Sequence, residues 1–239
     1  MLKRILLVLC LLPMLSNAAD DQQPNAKVWS GEGALGFTSS SGNTDTENLN
    51  ANLKIARQHL QWKHNLSLDT IRNKTDGEKS ADRWSLKERS EYALDEKSYA
   101  FGQARYEEDA FSGYEHQASL SLGLGSRFIE DDQQLLDLSV GLGYRDSKDI
   151  ESGDTEDGGI VTSDLIYEYK ISPSAILGET ALIEVGEKNT FIQSETALRT
   201  RINDSLSSQI SYLVKHNTDA PPGVEKTDTI FSISLVYGF

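Results

Sequence analysis

The chain has 239 residues, of which 38% are hydrophobic and 25% charged, and a formal net charge of −14. That acidic balance argues against general nucleic-acid binding, which needs a basic surface to neutralise phosphates. Past residue 15 no apolar run approaches the roughly 18 residues of a spanning helix, which excludes a helical membrane protein. A soluble domain and a membrane β-barrel remain, because strand alternation is invisible to average hydropathy.

The elements begin with a leader. Lys3 and Arg4 precede an apolar run from Ile5 to Leu15, and Ser16-Asn17-Ala18 supplies small residues for signal peptidase. Residues 1–18 are therefore expected to be a cleaved secretory signal peptide, 19–27 a short periplasmic segment and 28–239 the folded unit. Losing Lys3 and Arg4 would take the formal charge from −14 to −16. The single cysteine, Cys10, lies inside the leader behind Leu9, so neither a disulfide nor a lipid anchor is expected. Closing a sheet on itself is another way to hold such a domain together.

Period-two alternation predicts strands near 28–38, 47–57, 62–72, 83–92, 98–107, 114–128, 135–145, 160–170, 174–185, 190–202, 206–216 and 227–239. Leu136, Leu138, Val140, Leu142 and Tyr144 alternate with Asp137, Ser139, Gly141, Gly143 and Arg145, for example. The fifth and ninth segments are the least regular. Connections after odd strands read as long and polar (39–46, 73–82, 146–159, 217–226), whereas those at 58–61, 171–173 and 203–205 are short. Outer-membrane barrels have this asymmetry. Trp29, Trp62, Tyr92, Tyr99, Phe128 and Tyr169 fall at predicted periplasmic ends, and Phe37, Trp84, Tyr114, Tyr144 and Phe191 at outer ends, as aromatic girdles require.

The expected fold is all-β: an antiparallel transmembrane β-barrel of about twelve strands, with short periplasmic turns and longer extracellular loops, in a Gram-negative outer membrane. A soluble sandwich or barrel would show the same alternation with its apolar face turned inward. The leader, the loop asymmetry and the last strand decide between them. In that strand Ile233, Leu235, Tyr237 and Phe239 occupy every second position, which resembles the signal read by the barrel-assembly machinery.

Ser41-Gly42-Asn43-Thr44-Asp45-Thr46, Tyr106-Glu107-Glu108-Asp109-Ala110-Phe111-Ser112-Gly113, the paired glycines of Gly123-Leu124-Gly125 and Gly141-Leu142-Gly143-Tyr144, and Pro221-Pro222-Gly223 running on to Leu235-Val236-Tyr237-Gly238-Phe239 together resemble the domain-of-unknown-function 481 family. Ala110 departs from the pattern, where a basic residue is expected. The resemblance covers the whole mature chain and implies a salt-induced outer-membrane protein of unestablished activity.

Residues expected to line the lumen are Glu32, Lys54, Lys87, Arg89, Glu115, Arg127, Asp137, Arg145, Asp164, Glu168, Glu195, Arg199, Arg201 and Lys215. They read as a narrow passive channel for small ions or polar solutes, or as a salt-bridge lattice closing a structural barrel. Gly36, Gly123, Gly125, Gly141 and Gly143 would reduce side-chain filling and favour open space. Asp149, Glu151, Asp154, Glu156 and Asp157 form an acidic rim that concentrates cations. A lipid hydrolase is a third reading: His64 and Ser90 fall on neighbouring strands facing lipid, with no orienting acid evident. Against it, His64 reads as an interfacial histidine beside Trp62 and Tyr92, and no enzyme activity, catalytic residue, metal or cofactor is expected. The expected partners are outer-membrane lipid and lipopolysaccharide, with the assembly machinery during biogenesis and a monomeric state favoured.

Overall fold

A computed structural model describes residues 29–40, 46–110, 112, 114–150, 152–220 and 224–239. The expected leader (1–18), the segment 19–27, Glu151 and the Phe37 side chain lie outside the described residues. The strands are β1 (Trp29–Ser40), β2 (Thr46–His59), β3 (Trp62–Thr75), β4 (Glu78–Ala93), β5 (Ser98–Asp109), β6 (Tyr114–Glu130), β7 (Gln134–Asp149), β8 (Thr155–Ser172), β9 (Ala175–Val185), β10 (Thr190–Arg201), β11 (Leu206–Asn217) and β12 (Thr227–Gly238). Each pairs antiparallel with the next, and β12 returns to β1, so the sheet closes as a twelve-stranded barrel. Closure leaves no edge strand.

Register fixes which face each side chain takes, because residues opposite one another share a face. Leu122, Leu142 and Ile233 point outward and are 68%, 72% and 63% exposed. Arg89, Asp137, Asp164 and Lys215 point inward and are buried. The apolar face is thus the outer one, the arrangement of a membrane barrel and the reverse of a soluble one.

Two expected loops are strand. Asn73–Asp82 collapses to the turn Asp76-Gly77, with φ of 51° and 81°. Left-handed backbone at both central positions matches the twist of a tight hairpin. Likewise the expected loop 146–159 shrinks to 150–154, because Asp146 pairs with Asp157, Ser147 with Glu156 and Lys148 with Thr155. The apolar alternation that marks a strand stops where the bilayer stops, but the backbone ladder does not.

Strand β5 explains its own blurred pattern. Tyr99, Phe101, Gln103, Arg105 and Glu107 face inward and are buried, leaving only Ala100, Gly102 and Ala104 outward at mid-strand. Tyr99, Tyr114 and Phe191 are therefore not girdle residues as expected; all three rings are buried on the inner side. Trp29, Trp62, Phe128, Trp84 and Tyr144 do face out, at the ends the sequence indicates.

Candidate functional site in the lumen

Two ion clusters cross the lumen. In the first, Arg89 on β4 reaches Asp164 on β8 at 3.3 Å and Ser139 on β7 at 2.9 Å, and pairs with Glu91 at 2.9 Å. Lys87 also holds Asp164, at 2.9 Å. The Arg89 guanidinium lies 3.9 Å from the centroid of the Phe101 ring, and Tyr99 donates its hydroxyl to Asp137 at 2.5 Å. In the second cluster, Arg105 on β5 reaches Glu184 on β9 at 2.8 Å, Ser119 donates to Glu184 at 2.7 Å, and Arg145 stands 3.7 Å from it. Lys215 on β11 crosses to Glu107 on β5. Phe191 is 1% exposed beneath Arg105 and Lys215. Buried charges persist when paired and hydrogen-bonded in this way. Arg105 and Glu184 belong to the lattice as much as the residues the sequence singled out; Glu184 lies on the irregular β9, where alternation gave it no face.

Apart from Lys215, which crosses from β11 near the long-loop end, the lattice lies along β4–β9. Inward residues of β5–β9 down to the middle of the barrel are buried, whereas Asn48, Asn50 and Asn52 on β2, Asn65, Ser67 and Asp69 on β3, and Ser232 and Ser234 on β12 are all partly exposed. Short neutral polar side chains dominate that wall, with Asn50 donating to Ser234 at 2.9 Å and Asn52 to Asp69 at 2.6 Å. Arg199 on β10 and Glu32 on β1, 2.8 Å apart, pinch this side toward the short-turn end.

The expected lining residues Lys54, Arg127, Glu168, Glu195 and Arg201 also face inward by register, near the short-turn end in all but Glu195. Glu115 does not. A bulge between Tyr114 and His116 inserts one residue, so Tyr114 turns in and Glu115 lies on the outer surface paired with Lys148. The glycines also differ from expectation. Side chains at Gly123 and Gly125 would collide with Phe101 and Tyr99, so rings from β5 fill the space they leave.

At the long-loop mouth, Asp149, Asp154 and Glu156 line a cavity of about 460 Å³ with Tyr114 and Asp219. Asp157 lines an adjoining one of about 220 Å³ with Arg145 and Asn189. Lys188 pairs with Glu156 at 3.0 Å, so the acidic rim is partly neutralised.

On the outer face the structure brings His64 and Ser90 together. His64 Nδ1 and Ser90 Oγ are 2.7 Å apart, and Ser90 donates to Glu88 at 2.6 Å. The carboxylate is thus attached to the serine rather than to the histidine.

A closed antiparallel barrel of twelve strands, apolar outside and charged within, is a membrane β-barrel of the porin-like class. The chain belongs to the family described as "Protein of unknown function, DUF481", which it matches over residues 33–239. It is 25% identical to the uncharacterized protein YdiY of Escherichia coli K12, covering 91% of this chain and 86% of the relative. Its fold resembles an outer membrane channel of Pseudomonas putida F1, with a TM-score of 0.55 at 10% identity over 88% of this chain and 95% of that one.

Proposed function

We propose that the protein is an outer-membrane barrel that passes small ions or polar solutes along a narrow, off-centre route. The uneven lumen carries this reading. Solvent reaches the Asn- and Ser-lined wall of β2, β3 and β12, while the ion lattice packs the wall of β4–β9, with Lys215 reaching in from β11 near the long-loop end. Twelve strands enclose more space than the eight whose interior side chains just fill, so a lattice on one wall leaves room along the other. The channel named for the Pseudomonas barrel of similar fold agrees with this reading. The exposed apolar belt, with the longer connections at one end, supports placement in the outer membrane with the short turns in the periplasm.

The Glu32–Arg199 pair sets the constriction and keeps conductance small. Refolded protein in a planar bilayer should give discrete small steps, and Arg199→Ala should enlarge them. Reproducible silence from both proteins would favour the closed barrel, whose support is the lattice spanning from β4 and β5 to β8, β9 and β11.

A further inference from the structure

We infer that the outer surface carries a second site, a serine ester-hydrolase centre for membrane phospholipids, built from Ser90, His64, Glu88 and Arg57. It rests on the membrane placement proposed above and is independent of whether the lumen conducts.

Arg57, His64, Ser90 and Gly102 are successive register partners across β2, β3, β4 and β5, so they form one row on the outer face. The serine hydroxyl donates to Glu88 Oε1 at 2.6 Å, and in that state the 2.7 Å contact with His64 is an Nδ1–H donating to Ser90 Oγ. In the other tautomer, with the imidazole proton on Nε2, Nδ1 accepts, and rotation about the Cβ–Oγ bond turns the hydroxyl from Glu88 to His64. The imidazole is held in plane by Trp62, whose ring stacks on it at 5.7 Å and 2°, and Tyr92 packs edge-on to Trp62 at 5.0 Å. A nucleophile beside an oriented base is the arrangement serine chemistry requires.

Depth and access point to the substrate. Trp62 and Tyr92 belong to the short-turn aromatic girdle, which sits at headgroup level. His64 and Ser90 lie two residues further in, about 6–7 Å along tilted strands. Acyl ester carbonyls of phospholipids occupy that zone. On the β5 side, the partner Gly102 has no side chain of its own, Leu122 from β6 leans against the space one would take, and Ala100 and Ala104 keep the flanking surface low. Leu122 and Leu124 on β6, 68% and 59% exposed, wall it as an acyl-chain groove. Arg57 supplies a cation for the lipid phosphate, and its guanidinium rests over Trp29.

Ser90 Oγ attacks the ester carbonyl carbon while its proton passes to His64. The carbon–oxygen bond to glycerol breaks, and the departing alkoxide takes that proton back. Water, deprotonated by His64, then attacks the acyl-serine, releasing a fatty acid and returning the proton to Oγ. Arg57 holds the phosphate throughout, and Glu88 retains the resting hydroxyl between turnovers.

The test uses the folded full chain in vesicles of diacyl phosphatidylethanolamine and phosphatidylglycerol, with a fluorophosphonate serine probe. Expected results are an adduct mapped by mass to the Ser90 peptide, fatty-acid release from diacyl but not diether lipid, loss of both in Ser90→Ala, and release about 100-fold slower in His64→Asn. Heat-modifiable migration confirms that each variant is folded, and the mapped wild-type adduct stands without any variant. Absence of either the adduct or the release, or an adduct that survives Ser90→Ala, overturns the site. Tight lipid retention without hydrolysis does so as well.

Discussion

The phenol ring of Tyr99 occupies the space that a side chain on Gly125 would need. The same exchange is made by Phe101 over Gly123 and Gly141. Glycines on β6 and β7 therefore admit aromatic rings from β5, and those rings carry Arg89 and Asp137 into the lattice. Filling the gap from the other side should be costly. Gly125→Leu should lower stability by about 1–3 kcal/mol, the usual cost of overpacking. Removing the rings instead, with Tyr99→Ala and Phe101→Ala combined, should widen the lumen. Bilayer conductance of that variant should rise above wild type, and an unchanged value would show that the rings do not border the route.

Glu184 is the most heavily committed carboxylate of the lattice. Its side chain is 1% exposed, with Arg105, Arg145 and Ser119 around it. Glu184→Ala would strand two guanidinium groups, and breaking a buried pair from one side typically costs about 3–5 kcal/mol. Glu168→Gln, on an exposed inward position near the short-turn end, should change stability by less than about 0.5 kcal/mol. Urea unfolding in lipid vesicles separates the two. Equal losses would mean that the lattice is not the stabilising element.

Much of this was legible in the sequence, and the exceptions share a cause. The twelve strands follow from period-two alternation, because one face must match lipid. Alternation says which residues share a face but not which face is inner. On β5 the aromatics carried the apolar signal, yet they point into the lumen, since small neighbours on β6 and β7 leave room for them. Glu115 was misplaced because a bulge inserts a residue and breaks the parity on which every inward assignment depends. The His64–Ser90 row needed only register to be seen, whereas its carboxylate required the side-chain rotamer of Glu88.

Two short turns should report acid directly. Backbone N–H groups of Lys97 and Ser98 donate to the Asp95 carboxylate, and those of Gln133 and Gln134 to Asp131. These bonds hold both carboxyls below the usual range. A depressed folded value means the stabilisation is complete above the unfolded value of about 3.9 and is lost as pH falls through the folded one. Protection of the Ser98 and Gln134 amides relative to their intrinsic exchange should thus be flat from pH 7 to about 5 and fall only in stronger acid. Asp95→Asn should remove that fall at Ser98 alone.

The closing seam is the shortest of the described ladders. Among the described residues, β1 and β12 share four register pairs, Glu32–Leu35 with Leu235–Gly238, against at least ten across every other seam. Phe239 extends it by exchanging backbone bonds with Gly31 at 3.0 and 3.1 Å, and its ring covers that glycine. Deleting Phe239 should therefore reduce the yield of heat-modifiable, membrane-inserted protein several-fold. Phe239→Tyr should restore it, since the backbone bonds and the ring both remain. Equal yields from the deletion and the intact chain would remove Ile233, Leu235, Tyr237 and Phe239 from the assembly argument.

Charge at the two mouths predicts a modest cation preference. Asp149, Asp154, Glu156 and Asp157 line the cavities at the long-loop mouth, where Lys188 opposes them. Lys54, Arg199 and Arg201 stand near the short-turn end, so fixed positive charge limits the effect. The reach of the rim charges shrinks from about 10 Å at 0.1 M salt to about 3 Å at 1 M. Cation selectivity should accordingly be greatest in dilute salt and fade as salt rises. Neutralising Asp149, Asp154, Glu156 and Asp157 together should reduce it in dilute salt without abolishing conductance, because none of the four forms the constriction. Reversal potentials across a salt gradient measure this directly. An anion preference in dilute salt would place control at Arg199 and its neighbours rather than at the rim.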